Sequence, residues 1–132
     1  PARNTIFLSL ASSFAEKHSI NNIFIGVNSI DYSGYPDCRP EFIELFEKMI
    51  NKGTKLGVEG TKINIHTPLI QMKKSDIIKI GADLNVNYAK TVSCYSLTEN
   101  GEACGVCDSC RFRKKGFFDA GVLDPTHYKK IK

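Results

Sequence analysis

The residues best suited to chemistry are four cysteines near the C-terminal end: Cys94-x9-Cys104-x2-Cys107-x2-Cys110. Thiolates at such spacing can turn their sulfurs toward one point, and zinc settles into a tetrahedral set of four. Asn100-Gly101 and Gly105 supply turns that wrap the backbone around an ion. Four ligands leave no position for water, so the expected role is structural. An iron–sulfur cluster is the main alternative, because Cys-x2-Cys-x2-Cys occurs in ferredoxin-like runs. Those runs continue to a cysteine followed by proline, whereas Arg111-Phe112-Arg113 follows Cys110 here. Plain thiols or disulfides are the remaining possibility. The clustering and the lack of a secretory signal weigh against disulfides.

The same cysteines alter the charge balance. The formal net charge is +4. Four thiolates and one divalent ion bring this to about +2, which does not argue for nucleic acid. The basic residues near the C-terminus (Arg111, Arg113, Lys114, Lys115, Lys129, Lys130, Lys132) read as a solvated face and tail. No apolar stretch is long enough to span a membrane, and Pro1-Ala2-Arg3-Asn4 lacks the layout of a signal peptide. The expectation is a soluble, cytoplasmic protein without a membrane or nucleic-acid partner. Cys38 stands apart, a small and partly buried residue at a helix start. A helix N-terminus would lower its pKa, but no adjacent base makes it a nucleophile.

Alternating helices and strands must position these groups. A helix is expected over residues 4–18, with Asn4 as its N-cap and Ile6, Leu10 and Phe14 on its apolar face, widened by Phe7 and Leu8. Ile23-Phe24-Ile25-Gly26-Val27 reads as a strand covered on both faces. Residues 28–39 then form a loop at its carboxyl end, where open α/β sheets bind ligands. Further elements are a helix over 40–51 (Phe42, Leu45, Phe46, Met49, Ile50), a glycine-punctuated loop and a strand over 62–67. A helix over 75–84 with Ser75 as cap, the cysteine segment 94–110 and a helix over 107–119 follow. His18, His66 and His127 are scattered and read as structural or surface residues. Two strands are too few to cover the faces and edges of a parallel sheet. The opening on Pro1 hints that something precedes it, and the shortage means either that another chain supplies strands or that the N-terminal part of the domain is absent.

Asn28-Ser29-Ile30-Asp31-Tyr32-Ser33-Gly34-Tyr35-Pro36-Asp37-Cys38-Arg39, read with the spaced cysteines, resembles the 7-cyano-7-deazaguanine synthase family of PP-loop ATP pyrophosphatases. Pro1-Ala2-Arg3-Asn4 is similar to the family's Pro-Gly-Arg-Asn, and Thr67-Pro68-Leu69 with Lys74 to another family segment. The likeness covers essentially the whole chain. It implies a Rossmann-like PP-loop fold (adenine nucleotide alpha hydrolase-like), incomplete here, carrying the zinc segment at residues 94–110. It also implies an ATP- and Mg²⁺-dependent ligase of queuosine biosynthesis, working as a homodimer. Its substrates would be 7-carboxy-7-deazaguanine and ammonia, and it would proceed through an acyl adenylate and an amide to the nitrile. The family's Ser-Gly-Gly-x-Asp-Ser phosphate loop is missing from this sequence, as are strands, so residues 1–132 look like the C-terminal part of a single α/β PP-loop domain and the chain alone is expected to be inactive. A PP-loop enzyme that thiolates tRNA and a zinc-stapled nucleic-acid-binding module are the competing readings.

Roles follow from the resemblance. Asp31, Tyr35 and Asp37 would recognise the deazaguanine, the carboxylates accepting its ring N–H groups and the tyrosine stacking on it. Arg39 would pair with the substrate carboxylate. Arg3 and Asn4, at a helix start that favours anions, would contact nucleotide, and Lys74 would neutralise ATP phosphates. Turn chemistry, capping and surface ion pairing are the rival roles for the same residues.

Overall fold

A computed structural model describes residues 2–28 and 34–130. The chain divides into two compact units, Pro1–Met72 and Lys73–Lys132.

The first unit begins with α1 (Arg3–His18). Ala2 occupies the N-cap position in the left-handed region, φ 55°. Asn4 is therefore already inside the helix, contrary to the expected cap. The helix also buries a different face from the one expected. Leu8, Ser12 and Ala15 face the core, while Ile6, Phe7, Leu10 and Phe14 are all more than half exposed. The helix is apolar on nearly every side, so period alone could not select its inner face. Ser12 is satisfied there by donating its hydroxyl to the Leu8 carbonyl at 2.6 Å.

β1 (Asn22–Phe24) and β2 (Asn64–His66) pair in parallel, Ile23 opposite Ile65. Ile23 and Ile65 point into the core beside Leu8, Val27, Ile43, Phe46, Ile50 and Ile63. The expected double-sided burial of the first strand is not found. Phe24 is 71% exposed and stacks on His66 at 4.6 Å between ring centroids. The strand also ends earlier than expected, although the Ile25 N–H still donates to the His66 carbonyl at 3.0 Å.

Between the strands run α2 (Pro40–Gly53) and the short α3 (Lys55–Val58). Pro40 sits in the first turn of α2, where its missing N–H costs nothing. Ile43, Phe46 and Ile50 form the buried stripe of α2, and Leu45 and Met49 are exposed. The expected glycine loop contains α3, which Thr54 caps by accepting from Gly57 N–H.

Side chains of α2 close the outer edge of β2. Asn51 accepts from the Ile63 N–H at 2.8 Å and donates to the Ile63 carbonyl at 2.7 Å. Glu47 accepts from the Ile65 N–H at 2.7 Å while pairing with Lys62 at 3.0 Å. Burial pushes the Glu47 carboxyl up, but the Ile65 N–H and Lys62 outweigh it and hold its pKa below the usual range. An edge strand normally leaves such backbone groups to water or to another chain.

The second unit packs α4 (Lys74–Asp83) on α5 (Asp108–Ala120). Gly116 allows their close approach: a Cβ there would stand 2.5 Å from Lys74 Cγ. Gly81 likewise leaves room for Tyr88, whose hydroxyl donates to the Ile78 carbonyl at 3.1 Å. Ser75 lies inside α4 rather than at its cap, which falls on Lys73. Phe117 is buried against Tyr88, whereas Phe118 is 85% exposed. Arg113 corrects another expectation. It is 4% exposed rather than part of a solvated basic face.

Candidate metal centre and ligand cavity

The four cysteines converge in the second unit. Sγ of Cys94, Cys104, Cys107 and Cys110 all lie within 4.8 Å of one another, and none is in a disulfide. Tetrahedral zinc with bonds of about 2.3 Å needs sulfurs about 3.8 Å apart. Cys104 Sγ and Cys110 Sγ are 4.0 Å apart. The donor set and its spacing therefore fit a four-thiolate metal ion.

Local structure delivers each sulfur. Cys107 is the N-cap of α5, and Cys110 lies in its first turn. Gly105, at φ 75°, turns the chain between Cys104 and Cys107. The turn at Thr98–Glu102 returns the backbone toward Cys94, with Thr98 N–H donating to the Glu102 carbonyl at 2.9 Å. Backbone N–H groups then point at sulfur. Ser96 and Cys104 donate to Cys94 at 3.3 Å, and Cys107 donates to Cys104 at 3.4 Å.

These donors favour thiolates. N–H groups of Tyr95 and Cys110 pull the Cys107 thiol down to about 6. Those of Val106 and Cys107 lower Cys104. Burial, and then the neighbouring thiols, Cys107 foremost, push Cys110 up to about 12 against the Gly105 N–H. A bound cation would favour its thiolate form.

A second site lies past the carboxyl end of β1 in the first unit. A cavity of about 270 Å³ is lined by Arg3, Asn4, Ile25, Gly26, Val27, Asn28 and Cys38. A smaller recess of about 40 Å³ adjoins it at Ala2, Tyr35 and Asp37. Arg3 carries its guanidinium over the Tyr35 ring, 5.8 Å from the centroid. Asn28 donates to the Met72 and Leu69 carbonyls and so ties the end of β1 to the segment after β2.

Asp37 holds this site together. It is buried, and its carboxylate accepts from the Asn4 N–H at 2.9 Å. The Asn4 amide in turn donates to the Asp37 carbonyl at 3.2 Å and to Cys38 Sγ at 3.1 Å. An acidic residue from another element thus satisfies an orphan N–H at the start of α1. Cys38 does not have the lowered pKa that a helix start suggested. Burial and then the Asp37 carboxylate raise it, against the weaker effects of Asn4 and Arg3. It is therefore a thiol at neutral pH.

Of the residues singled out in the sequence, Arg3 and Asn4 line both the cavity and the recess, and Tyr35 and Asp37 line the recess alone. Arg39 is exposed at the junction of the 3₁₀ turn Pro36–Cys38 with α2. Lys74 is the exposed first residue of α4 in the second unit, its stem against Gly116. Asp31 lies outside the described residues. Sequence reasoning missed Asn28, Asn51 and Arg113. Their partners stand 11 or more residues away, and no periodic signal marks such pairs.

The sequence model of the family described as "Queuosine biosynthesis protein QueC" matches residues 1–121. A 7-cyano-7-deazaguanine synthase of Hydrogenovibrio crunogenus is 61% identical over 128 residues, which are 97% of this chain and 55% of that protein. A synthase of the same name from Methylococcus capsulatus is 60% identical over 129 residues, covering 98% of this chain and 58% of that protein. Another, from Geobacter sp. strain M21, is 60% identical over 131 residues, covering 99% and 58%. The chain thus spans little more than half the length of the curated relatives it matches. With nearly all of its residues covered by the family model, this chain belongs to the queuosine biosynthesis protein QueC family.

Proposed function

We propose that the chain is part of a ligase that converts 7-carboxy-7-deazaguanine and ammonia into 7-cyano-7-deazaguanine at the cost of ATP. One observation carries the reading furthest. Arg3 and Asn4 line a cavity past the end of β1, and Tyr35 and Asp37 line the small recess that adjoins it, all within segments that resemble the family's. Ligands of open α/β sheets bind at that position. The names of the similar proteins agree with it.

In this reading the substrate carboxylate is activated as an acyl adenylate. Ammonia displaces AMP to give the amide; a second ATP then adenylates the amide oxygen, which departs with AMP while the nitrogen releases its two protons, leaving the nitrile. Tyr35 stacks on the flat heterocycle, with its ring already braced by Arg3. Asp31 accepts from the guanine-like edge. Asp37 acts from behind, because its carboxylate is engaged by the start of α1. Arg39 pairs with the substrate carboxylate, and Arg3, Asn4 and Lys74 serve the nucleotide phosphates. Mg²⁺ would neutralise charge on those phosphates.

The metal of the cysteine centre is proposed to be zinc, held by Cys94, Cys104, Cys107 and Cys110 as a closed structural site. The fold is proposed to be a Rossmann-like PP-loop domain of which the 132 residues form part. Resemblance also supports a cytoplasmic homodimer.

The test is direct. Full-length protein with ATP, Mg²⁺, ammonium and 7-carboxy-7-deazaguanine should yield the nitrile product by mass spectrometry. Intact, metal-loaded enzyme giving no product overturns the reading. One zinc per chain and no visible absorption support zinc, whereas a brown protein containing iron refutes it.

A further inference from the structure

We propose that Arg113 is a positioning residue for the metal centre. From the helix that carries Cys110, it holds the segment bearing Cys94 through Thr91 and Ser93, and the segment bearing Cys104 through Asp124 and Tyr128, before the ion binds.

Arg113 is buried in α5 and forms a hub. Its Nε donates to Asp124 Oδ1 at 3.0 Å. One terminal nitrogen donates to Thr91 Oγ1 at 2.9 Å and to Ser93 Oγ at 3.4 Å. The other reaches the Tyr88 carbonyl at 3.3 Å. The guanidinium also lies 4.8 Å from the Phe117 ring centroid, so its face is packed as well as its edge. A lysine could not make this fork of contacts from one planar group.

Two of these arms lead to ligand segments. Ser93 immediately precedes Cys94, and Thr91 stands three residues before it. The Ser93 carbonyl also accepts from Ser109 Oγ at 2.5 Å, next to Cys110. Cys110 itself lies three residues before Arg113, one turn away on α5.

The Nε arm runs through the tail. Asp124 accepts from the Tyr128 hydroxyl at 2.6 Å and from the Thr126 N–H and hydroxyl at 3.1 and 2.8 Å. This folds residues 124–128 into a brace. The brace pairs with Ala103, the neighbour of Cys104: Ala103 N–H donates to the His127 carbonyl at 2.8 Å, and Lys129 N–H donates to the Ala103 carbonyl at 2.9 Å. Lys114 closes the ring. Its ammonium sits 4.2 Å from the Tyr128 ring centroid and donates to the Gly105 carbonyl at 3.1 Å, within the ligand loop.

A buried charge with this many satisfied donors does not move cheaply. The ligand segments are thus tied to one rigid point by protein contacts alone. Groups that orient metal ligands from behind in this way commonly change metal affinity by about 10–100-fold when lost.

The test uses the full-length protein, reduced and metal-free, titrated with Zn²⁺ in competition with a chromophoric chelator. Arg113→Lys keeps the charge and removes the fork. It should weaken Zn²⁺ binding by about 10–100-fold, with far-UV circular dichroism unchanged. Co²⁺ substituted for zinc should show altered d–d bands in the same variant. A residue that merely stabilised the fold would leave both readouts of the folded protein unmoved. Wild-type affinity together with a wild-type cobalt spectrum overturns the proposal. If Arg113→Lys does not fold, Thr91→Val removes a single arm and decides the matter by the same readouts. The inference rests on the metal reading: wild-type chain that binds no Zn²⁺ refutes that reading, and tight wild-type binding with unchanged variants refutes only this one.

Discussion

Asp37 stands in a stretch expected to touch substrate, yet its carboxylate accepts a backbone N–H at the start of α1. The two roles make opposite demands on a substitution. A cap needs an acceptor oxygen and tolerates asparagine; a partner for ring N–H groups needs the charge. Asp37→Ala is expected to lower stability by about 0.5–2 kcal/mol, while Asp37→Asn recovers most of that loss. Urea denaturation of the three proteins measures it, and equal losses in both variants would refute the capping role. Asp124 invites a pH experiment. Burial raises its pKa, but the Tyr128 and Thr126 donors and Arg113 outweigh this and hold it below the ordinary carboxylate value. A depressed folded pKa gives stability that is full above the unfolded value, about 3.9, and is lost as pH falls through the folded one. Asp124→Asn should therefore flatten the acid limb of the stability profile below about pH 4. An unchanged limb would mean that the carboxylate carries none of it.

At the scale of elements, α1 separates two kinds of apolar residue. Leu8 is 1% exposed and Leu10 is 66% exposed. Leu8→Ala should cost about 2–5 kcal/mol in the isolated chain, and Leu10→Ala no more than about 0.5 kcal/mol. Thermal denaturation distinguishes them, and similar losses would show that the outer stripe is packed after all. On β2, Asn51→Ala should cost about 1–3 kcal/mol, because it strands both backbone groups of Ile63 at once. Faster hydrogen exchange at the Ile63 amide is the specific readout. These contrasts also explain what the sequence could tell. The cysteine centre was legible because three of its four ligands share one short segment and the spacing itself carries the geometry. The parallel pair of strands was legible from β-branched runs at Ile23 and Ile63. The inner face of α1 was not, because Ile6, Leu10 and Phe14 form as good a stripe as the one the core selected. Neither was the edge closure by Asn51 and Glu47, nor the burial of Arg113. Polar pairs between distant positions leave no period to read.

The whole molecule has two compact units, and each relies on a different source of order. The first has an aliphatic cluster running from Leu8 to Ile65. The second has the Arg113 hub, the α4–α5 contact and the sulfur centre. Metal binding to thiols releases protons and contributes directly to the free energy of the folded ligand loop. Removing the ion by chelation should therefore act locally. The amides of Ser96, Cys104 and Cys107, which donate to sulfur, are expected to lose hydrogen-exchange protection, while that of Ala103, which donates to the His127 carbonyl, keeps its own. Amides of Ile63 and Ile65, held by Asn51 and Glu47, should keep theirs. Arg113 and Asp124 should keep α5 folded in the metal-free chain, so the loss stops short of the helix. Collapse of protection through α5 would show that the ion, and not the arginine hub, organises the unit. Acidification should reproduce the loop effect, because protons compete with the metal for the same sulfurs. Exchange mass spectrometry with and without chelator, repeated at two pH values, resolves both outcomes.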